Sequence, residues 1–281
     1  MWKFWYDSGT VNGKPTQITV NLPPRMVVPV PYPGYSSNEF PSPPVPLPLA
    51  VDVNAHVLPG LDHGADTEAE GLRLLIRFQE LGYRKVISTP HVMQRYYPVT
   101  PERVQVQLER MRFLAFQRGL YIRLDAAAQY YFDEHFLTKL RQRESLLCLM
   151  PRLGDVRYLL FETSLVAKPS ELWEAVGLMT RQGYSPVMAH PERCLYLQKN
   201  FDLVRRLHEH NVLFQVNVNS LSGFYSRNAQ RLAEQLVEEK LVAFLGSDGH
   251  RLDQLDALEA AADLPHYRQA VAMGLLNNTL L

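Results

Sequence analysis

The sequence lacks several features that would assign it to a specialised class of protein. It has only two cysteines in 281 residues, Cys148 and Cys194, too few for a disulfide framework, which suits a reducing compartment. Neither cysteine precedes an arginine at the spacing of a cysteine-dependent phosphatase loop. No apolar run reaches the ~20 residues of a membrane-spanning helix, and the first residues lack the layout of a signal peptide. We therefore expect a cytoplasmic protein with no membrane span.

An excess of charge of one sign is also missing. Lys and Arg number 29, and Asp and Glu number 29, so no overall field attracts nucleic acid or an anionic membrane. The GxGxxG and GxxxxGK[ST] motifs are absent, which disfavours a nucleotide-binding open sheet. With 46% hydrophobic and 21% charged residues, the composition is that of an ordinary globular protein, for which no nucleic-acid partner is expected.

Proline is distributed unevenly along the chain. More than half of the 20 prolines lie within the first fifty residues, in runs such as PPRMVVPVPYPG. Proline removes backbone donors and excludes a helix, so this segment reads as extended or polyproline-like. We predict a proline-rich N-terminal arm over residues 1–48, which is a tail, a linker or a strap along the domain or a neighbouring subunit. The folded domain is predicted over residues 49–281.

From residue 49 onwards, short β-rich runs alternate with longer stretches of helical period. PLAVDVNAH and KVISTPH read as strands, for example, and TEAEGLRLLIRFQELGY reads as the helix between them. About seven such βα units follow one another. Repeated βα units imply parallel strands, and this number favours an α/β TIM-like barrel, with an open doubly wound sheet as the alternative.

The histidines separate into two groups when they are placed on these units. Four lie on predicted helices or at their ends. The other five lie at or just beyond predicted strand ends: His56, His63, His91, His190 and His250. Asp62 and Asp248 accompany them. The carboxyl ends of barrel strands converge on one mouth, and imidazole with carboxylate suits Zn, Mn or Fe, so we predict a site for more than one metal ion.

Several motifs resemble those of the PHP superfamily of metal-dependent phosphoesterases. They are NAHVLPGLDHGA, STPHVM, AAAQYYFDEHF, GYSPVMAHPER, QVNVNSLSGFY and GSDGH. The nearest branch is the CpsB/YwqE-type bacterial protein tyrosine phosphatases linked to exopolysaccharide export. The resemblance implies a distorted (β/α)7 barrel, three metal ions and hydrolysis of phosphotyrosine by metal-activated water. It also implies a phosphotyrosine protein as partner, such as a bacterial tyrosine kinase of polysaccharide export, and allows an oligomer.

The resemblance further implies the residues of the site. Carried over position by position, the family's metal ligands correspond to His56, Asp62, His63, His91, His190, Asp248 and His250. Arg193 matches the arginine that binds substrate phosphate, so Arg193 and Asp248 are the candidate catalytic residues. The tyrosines near the mouth either flank a phosphotyrosine ring or pack locally: Tyr96, Tyr97, Tyr130 and Tyr131.

The sequence departs from the family pattern at three ligand positions. Asn54 stands for the first histidine of the HxH motif, Gln129 for the bridging glutamate and His63 for an aspartate. An amide is a neutral oxygen ligand without the charge of carboxylate or the basicity of imidazole. We therefore expect fewer than three tightly bound ions, with His63, His91 and His250 as a set that could hold one. Asn54 and Gln129 are expected at strand ends, where a side chain of similar size is tolerated.

These departures leave other functions open. A pseudophosphatase that binds a phosphoprotein or regulates a partner would keep the fold without turnover. A PHP enzyme for a small phosphate ester would keep the metals with another substrate.

Overall fold

The computed structural model describes residues 49–281, and the arm predicted over residues 1–48 lies outside the described residues, so the domain boundary stays a prediction. The described part contains nine strands: β1 Val51–Ala55, β2 Lys85–Ser88, β3 His91–Val92, β4 Arg123–Ala126, β5 Gln129–Tyr131, β6 Arg157–Glu162, β7 Tyr184–Ala189, β8 Leu213–Asn217 and β9 Val242–Gly246. Its nine α-helices are α1 Glu68–Glu80, α2 Pro101–Gln117, α3 Glu134–Gln142, α4 Leu172–Arg181, α5 Leu195–Gln198, α6 Phe201–Glu209, α7 Arg227–Glu238, α8 Leu252–Ala262 and α9 Pro265–Ala272.

The nine strands occupy seven positions around the sheet. Only two residues, Thr89 and Pro90, separate β2 from β3. Likewise, only Ala127 and Ala128 separate β4 from β5. Strand β2 pairs with β4 and β3 pairs with β5, all in parallel, so each broken pair acts as one interrupted strand. The interruptions account for the distortion that the family resemblance predicts.

The strand order follows the chain order, as it does in a barrel. The pairings run from β1 through β2 and β4, and from β3 through β5 to β9. A parallel bridge joins Ala55 to Gly249, and the His56 N–H donates to the Gly249 carbonyl at 3.0 Å, which brings β1 beside the end of β9. A doubly wound sheet reverses its order at a switch point, and this sheet does not. The predicted α/β fold with parallel strands in barrel order is confirmed, and within residues 49–281 the strands pair as one three-stranded and one six-stranded sheet.

Helix ends follow from the sequence. Thr67 caps α1 in a capping box with Glu70, Asp133 caps α3, and Ser226 caps α7. The apolar faces of the helices pack on the outside of the strands. Inside the ring, a smaller cluster takes buried residues from different strands, including Val53, Ile87, Leu160, Val187 and Phe244. These residues form the floor beneath the mouth. Within residues 49–281, no helix is both long and apolar enough to cross a bilayer.

Candidate metal centre

Three imidazoles from three strand ends converge at the mouth. His56 follows β1, His91 opens β3 and His250 follows β9, and all three are buried. One ring nitrogen from each lies within 4.8 Å of the other two. The rings of His56 and His250 stack at 3.7 Å between centroids, and those of His56 and His91 at 4.6 Å. This spacing allows the three nitrogens to share one metal ion.

The Nδ1 atoms of two of these rings face buried carboxylates. His56 Nδ1 lies 2.6 Å from Asp62 Oδ2, and His91 Nδ1 lies 2.6 Å from Glu162 Oε1. A proton held at Nδ1 by such an acceptor leaves Nε2 with the lone pair that a metal needs. Ligating histidines in proteins are commonly oriented in this way.

Asp62, predicted as a ligand, uses both of its oxygens within the protein. Oδ2 accepts from the His91 N–H at 2.9 Å as well as facing His56, and Oδ1 accepts from the Gly64 N–H at 2.9 Å. Burial raises the pKa of Asp62, but the neighbouring His56 and its hydrogen bond more than offset this, so the pKa lies below its ordinary range. A Cβ at position 64 would lie 2.3 Å from the His56 carbonyl oxygen, which explains the glycine in this turn. Asp62 therefore positions two histidines.

Glu162 is the residue that the sequence analysis missed. It is the last residue of β6, is buried, and lies 3.5 Å through Oε2 from His190 Nε2. Burial opposes its ionisation, but the charge of His91 and the hydrogen bonds of both histidines keep its pKa below the ordinary range. Its position at the end of the predicted strand RYLLFET is the feature of the sequence that indicates this role.

His250 has the protonation state of a metal ligand. Its Nδ1 donates to the backbone carbonyl of Asp248 at 2.8 Å, and its buried Nε2 has no hydrogen-bond partner in residues 49–281. Burial and the neighbouring His56 lower its pKa to about 3, so the ring is neutral near pH 7. Asp248 Oδ1, 3.8 Å from His56 Nε2, is likewise buried without a hydrogen-bond partner there. Orphaned buried acceptors of this kind fit a bound cation.

The two other predicted histidines lie beside the three. His63 is exposed and stacks on His250 at 4.3 Å and on His91 at 4.9 Å. The converging set is therefore His56, His91 and His250, whereas the set predicted from the sequence had His63 in place of His56. His190 has a left-handed φ of 36°, and its Nε2 lies 3.2 Å from Nε2 of Gln129.

Opposite the imidazoles, three buried amides form a chain that ends at Asp248. Asn54 Nδ2 donates to Gln215 Oε1 at 2.9 Å, and Gln215 Nε2 donates to Asn217 Oδ1 at 3.0 Å. Asn217 Nδ2 then donates to Asp248 Oδ2 at 2.9 Å. The carboxylate can only accept, so it sets the direction of the whole chain.

Asn54 is fully occupied by this arrangement. Its Oδ1 accepts from the Thr89 hydroxyl at 2.9 Å and lies 3.2 Å from His56 Nε2. The side chain is completely buried, and a Cβ on Gly246 would lie 2.9 Å from the Asn54 Cβ. We expected a side chain of similar size to be tolerated at this position. That expectation is wrong, because Asn54 lies within β1 in a packed, hydrogen-bonded layer.

Arg193 reaches the same carboxylate from the rim. One of its terminal nitrogens donates to Asp248 Oδ2 at 2.6 Å, and the guanidinium lies 4.4 Å from the centre of the Tyr225 ring. Burial opposes ionisation of Asp248, but the histidines around it and Arg193 hold its pKa below the ordinary range. The arginine side chain keeps 27% of its surface exposed, so part of it remains accessible at the rim.

Neither cysteine provides a nucleophile here. Cys194 follows Arg193, but burial raises the pKa of its thiol to about 11, and burial raises that of Cys148 to about 12. Among the tyrosines, Tyr130 is buried and accepts from the Leu147 N–H, so it faces away from the mouth. Tyr97 stacks on His63 at 5.6 Å, which places it at the mouth.

A sequence profile of the family described as capsular polysaccharide synthesis, CpsB/CapC, matches residues 50–262. This span is about three quarters of the chain and contains every residue of the metal centre. The chain belongs to the CpsB/CapC family.

Three similar proteins are all named as tyrosine-protein phosphatases. The chain is 25% identical over 202 residues to the putative tyrosine-protein phosphatase CapC of Staphylococcus aureus, covering 72% of this chain and 77% of that protein. The chain is also 25% identical over 202 residues to the tyrosine-protein phosphatase YwqE of Bacillus subtilis, covering 72% of this chain and 78% of that protein. It is 26% identical over 208 residues to the tyrosine-protein phosphatase CpsB of Streptococcus pneumoniae, covering 72% of this chain and 84% of that protein.

The fold agrees with a solved member of the family. Crystal structures of YwqE and CpsB, described as unique metal-dependent tyrosine phosphatases, include a chain that superposes with a TM-score of 0.66 at 24% identity. The match covers 79% of this chain and 85% of that one. The expected family, fold and class of relatives are confirmed, and the three converging histidines could hold a divalent ion.

Proposed function

We propose that this chain is a metal-dependent protein-tyrosine phosphatase that hydrolyses phosphotyrosine with a metal-activated water. The observation that carries the proposal is the set of His56, His91 and His250, whose Nδ1 atoms are tied to acceptors while their other nitrogens converge. The relatives' names supply the substrate class, since they are tyrosine-protein phosphatases.

Each part of the mouth has a defined task in this reaction. His56, His91 and His250 would hold a divalent ion, which would polarise a phosphate and lower the pKa of a water beside it. Asp62 and Glu162 orient the rings of His56 and His91 and hold their protons at Nδ1. Arg193, whose side chain stays 27% exposed, would bind the phosphate oxygens.

The site holds fewer than three ions, of Mn, Zn or Fe, in this proposal. Asn54 has both ends of its amide engaged by Gln215 and Thr89, and therefore offers little to an ion. Gln129 Oε1 is buried without a hydrogen-bond partner in residues 49–281, but it is neutral and cannot replace a bridging anion. His190 and Asp248 complete the ligands available beside the histidine set.

The phosphoprotein is most simply a tyrosine kinase of polysaccharide export, given the role of the family in capsular polysaccharide synthesis. Tyr96 and Tyr97 lie on a tight turn at the mouth in which the Tyr97 N–H donates to the Met93 carbonyl at 2.7 Å. Tyr96 is 68% exposed and Tyr97 stacks on His63, so their rings are placed to flank that of a phosphotyrosine.

A pseudophosphatase is the second candidate, because Arg193 is engaged with Asp248 and the amide chain satisfies one side of the mouth.

The deciding experiment is to measure hydrolysis of a phosphotyrosine peptide by the Mn-loaded protein and by its His91→Ala variant. Turnover that His91→Ala abolishes supports the phosphatase. Peptide binding without turnover, weakened by Arg193→Ala, supports the pseudophosphatase. Turnover of a small alkyl phosphate but not of the peptide would indicate an enzyme for a small ester.

A further inference from the structure

Exposed apolar side chains gather at the end of the barrel opposite the mouth. Two segments carry them, one running from the last turns of α2 through the loop before β4 and the other preceding β6. Because these segments lead into the amino ends of parallel strands, they lie at the amino-terminal face. The exposed side chains are Phe113, Phe116, Tyr121, Met150, Leu153 and Val156, and Phe116 and Leu153 are 72% and 85% exposed.

The two segments meet at one cavity. It has a volume of about 550 Å³, and both Phe116 and Met150 line it. Lys85, Arg123 and Arg152 line the same space. Exposed apolar groups and cations therefore form one surface, which we call the amino-terminal patch: the six apolar residues above with Lys85, Arg84, Arg112, Arg118, Arg123 and Arg152.

The patch has an excess of positive charge. Lys85 lies 2.7 Å from Asp125, which Arg112 also contacts, and Arg112 lies 2.9 Å from Glu109, so these two positive and two negative charges offset one another. The exposed arginines of the patch have no ion-pair partner within 4 Å in residues 49–281: Arg84, Arg118, Arg123 and Arg152. The neighbouring acidic groups that also lack such a partner are Asp155 and the Leu281 carboxylate. The net charge of zero for the whole chain conceals this local surplus.

Both segments project into open space. Gly119 and Gly154 have φ values of 69° and 94°, which form tight turns, and a Cβ on either would meet no atom within 4 Å. Apolar and cationic residues alternate within each turn, as in Phe116, Arg118 and Tyr121, and an arginine precedes Leu153. Projecting apolar side chains flanked by arginines suit the surface of an anionic lipid bilayer. The apolar side chains can enter the boundary between headgroups and acyl chains, and the guanidinium groups can contact lipid phosphates.

We propose that the amino-terminal patch binds the surface of an anionic lipid bilayer. Charge complementarity favours an anionic partner, and the two separate tips favour lipid over the flat, continuous contact of a second protein. Bound in this way, the barrel directs its metal mouth away from the bilayer, where a phosphoprotein can reach it. The proposal concerns a different face of the molecule and does not depend on turnover at the mouth.

Sedimentation with vesicles tests it on the full chain. We expect the protein to bind vesicles of phosphatidylcholine with phosphatidylglycerol, not to bind phosphatidylcholine alone, and to dissociate as salt is raised. The double variant Phe116→Ser with Leu153→Ser should lower the bound fraction by about tenfold, because both tips lose apolar surface. The variant Arg123→Gln with Arg152→Gln should weaken binding and reduce its dependence on salt.

The matched control is Val166→Ser, which removes a 70% exposed apolar side chain from the loop after β6, at the opposite end of the barrel. It should bind vesicles as the parent does. Melting temperature establishes that each variant is folded. Absence of binding by the folded parent, or equal loss with Val166→Ser, would overturn the proposal. So would light scattering that shows an oligomer which the double variant dissociates, with no vesicle binding by the parent.

Discussion

The two sides of the mouth treat their buried polar groups differently. On the imidazole side, His250 Nε2 and Asp248 Oδ1 have no hydrogen-bond partner within residues 49–281. On the amide side, Asn54 and Gln215 each have partners at both ends of their amides. Buried polar groups in proteins are almost always paired, so an orphaned acceptor indicates where a ligand belongs.

This contrast explains how one mouth can keep part of a metal site. A change from histidine to asparagine removes a ligand, and its cost depends on whether the new group is satisfied by its neighbours. Asn54 is satisfied by Gln215 and Thr89, so that side is stable without an ion. The imidazole side has no such substitute, and we infer that it requires a cation.

The largest effect should come from removing an imidazole. His91→Ala deletes a ligand and also leaves Glu162 buried without its 2.6 Å partner. We expect Mn affinity to fall by more than about 100-fold, beyond the usual effect of changing a residue that only orients a ligand. Mn titration with elemental analysis measures this. The control His63→Ala removes an exposed ring and should cost far less; an equal loss would mean that His63 belongs to the set.

Glu162→Gln tests the orienting carboxylate. The neutral amide no longer stabilises a proton at His91 Nδ1, so we expect Mn affinity to fall by about 10- to 100-fold with the fold intact. Glu209→Gln on α6, which changes an exposed carboxylate, serves as the matched control. If Glu162→Gln binds Mn as tightly as Glu209→Gln, then Glu162 has only a packing role.

The pH dependence of stability tests the buried carboxylate beneath the amide side. Burial raises the pKa of Asp52 to about 7, although Ser247 donates to it through both N–H and hydroxyl. Between its ordinary pKa of 3.8 and about 7, the folded state keeps a proton that the unfolded state has lost. The free energy of unfolding should therefore fall as the pH rises through this window, by about 1.4 kcal/mol per pH unit, and then level off.

Urea unfolding of metal-free protein at a series of pH values measures this slope, and Asp52→Asn should remove it. Asp62, Glu162 and Asp248 have lowered pKa values, so their contributions are lost only as the pH falls below the ordinary carboxyl range. A parent and an Asp52→Asn variant with the same pH profile would show that Asp52 is ionised in the folded protein.

The smallest effect should come from restoring an anion. Gln129→Glu supplies a charge beside His190 and replaces an oxygen that has no hydrogen-bond partner within residues 49–281, so Mn affinity should rise about tenfold, or about 1.4 kcal/mol. Asn54→His is the contrasting variant: it breaks the bonds to Gln215 and Thr89 and should lower stability by about 1–3 kcal/mol. A gain in affinity from Asn54→His without loss of stability would contradict the contrast between the two sides.

Much of this site follows from the sequence, because strand ends can be recognised in it. The alternation of strand and helix predicts the barrel, and the histidines after VDVNA and VAFLG are where a parallel ring brings them together. The bonds that assign roles are not local. Glu162 is 71 residues from His91, and Asn54 is 161 residues from Gln215, so no local pattern indicates that one orients a ligand and the other satisfies an amide.

The position of His56 in place of His63 has the same origin. Both follow β1 and both have the right chemistry, so the sequence does not rank them. The turn at Gly64 brings Asp62 onto His56 and leaves His63 exposed above the other rings. Which imidazole is buried depends on this turn and on the close approach of Gly64 to the His56 backbone.

The most direct test of the central claim is a crystal structure of the Mn-loaded protein with anomalous difference density. We expect fewer than three ions, with the strongest peak enclosed by His56, His91 and His250, and Asn54 still bonded to Gln215. Three fully occupied peaks, with Asn54 Oδ1 and Gln129 Oε1 both ligating, would contradict it.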